Sequence, residues 1–283
     1  MHERMIRAIR VVELLAICLL LGQALLYGTA EALEESSEEQ LIGWRGETYS
    51  GQQPPPAVSD PEVGWIETIS WAPRAFIYHN FLAPEECDHL ISLAKPKLER
   101  SQVVGPPNQT IDPIRTSFSA SIGYGATPIV KSIEERISRW THLPISHQEP
   151  MEVLRYVHGQ KYDAHWDWFD KSEYNEREGN RLATVLMYLS DVPRSAGGET
   201  AFPLGVPIDE ARQGVEGRGY SECAGRSGIA VRPRKGDVLL FWDLEPDGQQ
   251  PDRHNLHASC PTFAGGTKWT ATKWIHNRPL IPG

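Results

Sequence analysis

Tyr162-Asp163-Ala164-His165-Trp166-Asp167-Trp168 is the stretch on which the reading of this chain turns. Its aromatic, alternating character predicts a β-strand over residues 162–169, and in a strand side chains two apart share a face. His165 and Asp167 then point the same way, close enough for an imidazole nitrogen and a carboxylate oxygen to occupy adjacent positions on one metal ion. The same alternation sends Tyr162 to the other face, unless twist or a bulge redirects it. His-x-Asp alone is a weak signal, so a third ligand has to be found.

His257 lies 90 residues beyond Asp167, and Lys268 follows 11 residues later. Two imidazoles and one carboxylate leave open positions on a six-coordinate ion, the facial triad of non-haem Fe(II) oxygenases. A 2-oxo acid can chelate such an ion through its carboxylate and keto oxygens. A second carboxylate at its far end needs a buried cation to offset desolvation, and Lys268 fits that need. Thr184 and Tyr156 can add hydrogen bonds to the same acid. The same three ligands also suit a catalytic zinc ion with one open position, but a zinc hydrolase has no use for a deep cationic anchor. His254 reads as a loop residue rather than a ligand.

The surrounding pattern predicts a mainly β fold with flanking helices (α+β). Pro84, Glu85 and Glu86 open an apolar-periodic helix over residues 84–94. A second helix over 128–143 aligns Ile129, Ile133, Ile137 and Trp140. Strands are predicted over 71–82, 151–157, 162–169, 182–189, 228–233, 237–242 and 268–276. Helices first and strands after, with long polar loops between, suggest an antiparallel sandwich or barrel with helices outside one sheet.

The 283-residue chain divides unevenly in charge. Its formal net charge of −9 includes −6 from residues 31–60, leaving residues 61–283 only mildly acidic. That argues against a nucleic-acid partner bound by neutralising phosphates. Arg4, Arg7 and Arg10 precede an apolar run over residues 11–28. The pattern reads as a signal-anchor over 1–30, a type II single-pass membrane segment with a luminal catalytic domain in the endoplasmic reticulum or Golgi, or else as a cleaved signal peptide. Residues 31–64 read as an acidic, Pro-rich stalk, and residues 65–283 as the folded domain. Cys87, Cys223 and Cys260 permit at most one pair among them. Cys223 with Cys260 is the expected one because both flank the late strands, against three reduced thiols. Asn108-Gln109-Thr110 is a glycosylation sequon.

The run from about Trp71 to His276 resembles the catalytic domain of prolyl 4-hydroxylases, especially the monomeric plant and green-algal kind. The resemblance is carried by Ile-Ser-Leu-Ala-Lys-Pro (91–96), Arg-Thr-Ser (115–117), Leu-Arg-Tyr (154–156) and Gly-Gln-Lys-Tyr-Asp-Ala-His (159–165). It continues through Ala-Thr-Val-Leu-Met-Tyr-Leu-Ser-Asp (183–191), Gly-Gly-Glu-Thr-Ala-Phe-Pro (197–203), Gly-Asp-Val-Leu-Leu-Phe-Trp (236–242), Thr-Lys-Trp (267–269) and Thr-Lys-Trp-Ile-His (272–276). It implies a double-stranded β-helix (jelly-roll) core with Fe(II) held by His165, Asp167 and His257. Lys268 would anchor the distal carboxylate of 2-oxoglutarate, with Tyr156 and Thr184 lining its pocket. Tyr162, Arg181, Trp274 and His276 match positions near the peptide, and Arg115, Ser117 and Glu149 match supports of the groove.

The implied reaction is 4-hydroxylation of peptidyl proline, consuming O2 and 2-oxoglutarate with L-ascorbate as rescuing reductant. The implied enzyme acts as a monomer on a Pro-rich peptide in polyproline II conformation. A 2-oxoglutarate oxygenase with another target, or a non-catalytic jelly-roll binding module, are the alternatives that turnover assays separate. Two departures stand out: Trp166 and Trp168 replace tyrosines usual in the family, and Ala258 and Ser259 replace glycines. Neutral histidine ligands lead to the expectation that activity falls as pH drops through roughly 6.

Overall fold

The computed structural model describes residues 64–103, 111–170, 179–209, 219–226 and 228–280. The expected anchor, the stalk and the Asn108 sequon lie outside these residues. Among the described residues no helix is long and apolar enough to cross a membrane.

The elements in chain order are β1 (Trp65–Ala72), β2 (Arg74–His79), α1 (Pro84–Ala94), β3 (Glu99–Arg100), β4 (Phe118–Ile122), α2 (Pro128–Thr141), β5 (Met151–Tyr156), β6 (Tyr162–His165) and β7 (Arg181–Tyr188). They continue with β8 (Thr200–Phe202), β9 (Val206–Pro207), α3 (Glu222–Gly225), β10 (Ile229–Val231), β11 (Val238–Trp242), β12 (His257–Ser259) and β13 (Lys268–His276). One sheet has the order β3-β4-β5-β13-β7-β11-β2-β1-β9, the other β10-β8-β12-β6. From β5 onward the chain crosses repeatedly between the two. Strands β5, β13, β7 and β11 face β6, β12, β8 and β10, which is the double-stranded β-helix of a jelly roll.

The alternation of each strand sorts its side chains into two cores. On β11, Leu239 and Phe241 pack between the sheets with Phe202, Ile229 and Val231. Val238, Leu240 and Trp242 face outward and meet Cys87, Leu90 and Ala94 of α1 and Val130, Ile133 and Ile137 of α2. A strand buried on both faces therefore reads as an unbroken apolar run. Strand β13 departs from this pattern. Ala271 and Ile275 join the helix-side core, while Lys268, Thr270 and Thr272 point inward and leave the sandwich polar at one mouth.

Several boundaries move from expectation. The strand predicted over 71–82 is a β1–β2 hairpin turning at the cis Ala72–Pro73 bond. The helix predicted to 143 ends at Thr141, where His142 takes a left-handed backbone with φ 57°. The strand predicted over 162–169 stops at His165. Strands β3, β4, β8, β9 and β12 have no counterpart in the prediction.

Candidate metal centre and pocket

Strands β6 and β12 are neighbours, and His165 lies opposite His257 in their register. Asp167 sits two residues past the end of β6, in a bend rather than on the strand. It nonetheless converges on the histidines: one ligand atom from each of the three residues lies within 4.8 Å of the other two. His165 Nε2 is 3.6 Å from Asp167 Oδ1, and His257 Nε2 is 3.5 Å from Asp167 Oδ2.

Backbone carbonyls set the tautomers. His165 Nδ1 donates to the Asp163 carbonyl at 2.8 Å, and His257 Nδ1 to the Asn255 carbonyl at 2.9 Å. Both Nε2 lone pairs are thereby free and face the carboxylate. Burial, then the neighbouring His165 charge, pushes His257 down to about 4, so its ring is neutral at neutral pH. Burial opposes ionisation of Asp167, but His257, His165 and Arg181 hold its carboxyl well below the usual range. Two imidazoles with free Nε2 atoms and a carboxylate on one side of a common point fit a metal of the Fe(II) type.

Tyr162 does not turn away from this point. Its ring stacks on His165 with centroids 3.5 Å apart. The reason lies in the register: His257 pairs with His165 and Ser259 with Tyr162, so two steps along β12 match three along β6. The extra residue is a bulge that shifts Tyr162 onto the metal face.

Behind the carboxylate lies a chain of polar groups. Thr184 Oγ1 is 2.7 Å from Asp167 Oδ2 and 2.8 Å from Asp243 Oδ2. Thr184 has one hydrogen for two short contacts. If Asp167 receives it, the second proton belongs to Asp243, and burial together with the Asp167 charge does push Asp243 well above the ordinary carboxyl range. Asn255 donates to Asp243 Oδ1 at 2.9 Å, so one asparagine supports both Asp243 and, through its carbonyl, His257. Thr184 was expected to serve the cosubstrate. Its hydroxyl lines the pocket but is committed to this chain of carboxyl groups. The sequence reading did not single out Asp243 or Asn255, because an acid after an apolar strand reads as a loop residue.

At the other end of the pocket stands Lys268, 1% exposed. Its hydrogen-bond acceptor among the described residues is Ser259 Oγ, at 2.9 Å. The rings of Tyr156 and Tyr188 lie 5.5 and 5.9 Å from its nitrogen. Burial lowers the ammonium to about 7, and the Glu199 charge opposes that shift. Tyr156, directly across the sheet from Lys268, lines the same space. So does Thr200, bonded by the Tyr188 hydroxyl at 2.9 Å. Thr200 escaped the sequence reading, although a signal preceded it. Gly197 and Gly198 both have positive φ, and a Cβ on Gly197 would lie 2.4 Å from the Pro261 carbonyl oxygen. Such close packing holds the turn before β8 against the Pro261–Phe263 segment that follows β12.

The pocket opens into a groove of about 750 Å³ lined by Arg115, Tyr162, Trp166, Phe169, Arg181 and Trp274, among others. Arg181 is clamped by both oxygens of Glu149 at 2.6 and 3.1 Å. Its guanidinium lies 3.9 Å from the Trp274 ring centroid and 4.8 Å from that of Phe169. Burial opposes the Glu149 charge, but Arg181 and His276 bring its carboxyl down to about 2. His276 was expected beside the peptide. It is instead buried behind the groove, 2.8 Å from Glu149 Oε1 and with its ring 6.4 Å from that of Phe169, and is not among the groove-lining residues. Ser117 is likewise fully buried, bonded to Ser101. Arg115 does line the groove, over the Tyr162 ring at 4.9 Å. Both tryptophans line the groove: Trp168 is half-buried and also packs against the helix-side core, while Trp166 is 38% exposed.

Cys223 and Cys260 form a disulfide, and Cys87 is free and buried.

Residues 151–276 match the family described as the 2OG-Fe(II) oxygenase superfamily. The chain is 47% identical over 213 residues to prolyl 4-hydroxylase 2 of Arabidopsis thaliana, covering 75% of this chain and 70% of that protein. It is 49% identical over 214 residues to the probable prolyl 4-hydroxylase 4 of the same plant, with the same shares covered. Among solved structures, the viral collagen prolyl hydroxylase of Paramecium Bursaria Chlorella virus-1, in its 2OG complex, is similar at 25% identity and a TM-score of 0.50, covering 71% of this chain and 94% of that one.

Proposed function

The chain belongs to the prolyl 4-hydroxylase family of 2OG-Fe(II) oxygenases, and from that premise we propose that it converts peptidyl proline to 4-hydroxyproline. One oxygen atom of O2 enters the C4–H bond and the other enters 2-oxoglutarate, which leaves as succinate and CO2. The observation that carries the proposal is the pairing of two features in one pocket: three converging ligand atoms at its mouth, and a buried lysine with no carboxylate bonded to it, among the described residues, at its floor.

His165, Asp167 and His257 hold Fe(II), which when bound supplies the activation of O2 that the C–H bond requires. The carbonyl bonds to both Nδ1 atoms keep the Nε2 lone pairs aimed at it. Thr184 steadies one oxygen of Asp167. Lys268 pairs with the distal carboxylate of 2-oxoglutarate, aided by Tyr156 and Thr200. Tyr162, Arg181 and Trp274 position the peptide, and His276 acts on it by holding Glu149 against Arg181. The groove's aromatic surfaces suit a Pro-rich segment in polyproline II conformation, which is already populated before binding and so costs little ordering entropy. L-ascorbate is the added reductant.

The protein acts as a monomer in the endoplasmic reticulum or Golgi lumen, tethered by residues 1–30 and set off by the stalk over 31–64. The Cys223–Cys260 disulfide supports an oxidising compartment.

The test supplies the purified protein with Fe(II), 2-oxoglutarate and ascorbate, with and without a Pro-rich peptide. Peptide-stimulated succinate release and one added oxygen on proline are expected, and His165→Ala should lose both together with bound metal. Turnover without any peptide requirement would sink the substrate assignment. A fully active His165→Ala would sink the ligand set.

A further inference from the structure

Ser259 stands at the pocket floor, its hydroxyl in contact with the buried lysine. We infer that Ser259 is a specificity residue for the distal carboxylate of the 2-oxo diacid, an inference that rests on the cosubstrate reading of Lys268. Residues two apart on a strand share a face, so Ser259 looks into the pocket from the same strand as His257. Across the sheet it lies opposite Thr200 on one side and Tyr162 on the other.

Its hydroxyl accepts a hydrogen bond from Lys268 Nζ at 2.9 Å, and Tyr156 lines the same pocket beside it. A buried ammonium with an alcohol as acceptor is only partly compensated. It is nonetheless held at one place, and among the described residues it spends one of its three N–H groups, on Ser259. A carboxylate arriving at the floor therefore meets a cation that is already fixed. Ser259, having accepted from lysine, can turn its own O–H toward the anion. Strand β12 thus ties the two ends of the cosubstrate together. His257 and Ser259 stand about 6.6 Å apart along an extended chain, one at the metal and one at the floor.

The assay measures equilibrium binding rather than turnover. Protein loaded with Mn(II) is titrated by calorimetry with 2-oxoglutarate and with 2-oxopentanoate, which has the same chain length but ends in a methyl group. Ser259→Ala should weaken 2-oxoglutarate roughly tenfold and leave 2-oxopentanoate within about twofold of wild type. Ser259→Thr, which keeps the hydroxyl, should restore most of the diacid affinity. An unchanged affinity for 2-oxoglutarate in Ser259→Ala overturns the assignment. So do equal losses for both acids, which mean a structural role for the side chain. A wild-type protein that binds the two acids equally refutes the cosubstrate reading of Lys268 itself, a result distinct from either.

Discussion

Lys268 and Lys273 lie five residues apart on β13, on opposite faces of one sheet and both buried. On the helix side, Lys273 Nζ bonds Glu134 Oε1 of α2 at 2.8 Å and the Glu149 carbonyl at 2.6 Å. On the pocket side, Lys268 bonds a serine hydroxyl. Burial lowers both ammonium groups, and at Lys273 it is Glu134 that opposes the shift. The difference separates two uses of a buried charge. One has its counter-ion supplied by the fold and serves to fasten α2 to the sheet. The other has its position supplied by the fold and bonds no carboxylate among the described residues; in the proposed function its counter-ion is the ligand.

Exchanging each lysine for methionine breaks the comparison most directly. Lys268→Met should raise KM for 2-oxoglutarate by about 100-fold, the worth of a charge-assisted hydrogen bond or two, with no loss of stability to denaturant. Lys273→Met strands Glu134 as a buried lone charge and should cost about 3–5 kcal/mol of unfolding free energy, with KM unchanged in the folded protein. The opposite assignment of the two defects would invert the argument.

Asp243 extends the comparison to a buried acid whose carboxyl is pushed well above the ordinary range by burial and the Asp167 charge. Asp243→Asn keeps a donor toward Thr184 and an acceptor toward Asn255, so metal affinity should stay within about threefold of wild type. Asp243→Leu removes both and should weaken metal binding about tenfold or more, read by titration of the apoprotein. An asparagine as damaging as the leucine would mean that Asp243 works as an anion.

Titration sharpens the same point. Lys268 has a folded value of about 7 against an unfolded value near 10.5. The folded state is therefore the poorer proton acceptor between them, and this lysine's destabilising contribution is complete below 7 and relieved as pH rises to 10.5. Under the proposed function cosubstrate binding runs the other way, because its distal carboxylate pairs with the ammonium. KM for 2-oxoglutarate should climb about tenfold per pH unit above 7, and Lys268→Met should flatten the profile. On the acid side, burial moves the His257 limit from the expected region near 6 to about 4, so its share of metal binding should survive at pH 5. The smallest effect belongs to Trp166→Ala, which trims one exposed wall of the groove. It should raise peptide KM about threefold without altering KM for 2-oxoglutarate.

Much of the architecture could be read from local chemistry. Helix α1 begins and ends where Pro84 and the apolar period place it, and β13 spans its predicted residues, a run of threonines, tryptophans and isoleucine that favours a strand. The short strands were invisible for the opposite reason. Three-residue β8 and β12 are defined by what they pair with, and nothing in Thr200–Phe202 or His257–Ser259 demands a strand in isolation. The candidate site divides in the same way. His165, Asp167, His257 and Lys268 stood out as residue types ordered along the chain. Tyr162 facing the metal, Thr184 turned to Asp243, and His276 set behind Glu149 depend on a bulge and on hydrogen bonds between distant segments. No spacing rule encodes these.

Strand β12, three residues long, carries both His257 and the floor residue Ser259, and the next residue is the disulfide partner Cys260. The far half of that bond sits in α3, whose cap Ser221 is held by the Glu199 carboxylate. Manufacture of this pocket therefore includes an oxidation step. The same chain made where thiols stay reduced would have to hold β12 by hydrogen bonds alone. Handling inherits the same constraint: a reductant chosen to keep iron ferrous must not be a thiol able to exchange with Cys260, which makes ascorbate and dithiothreitol unequal choices at the bench.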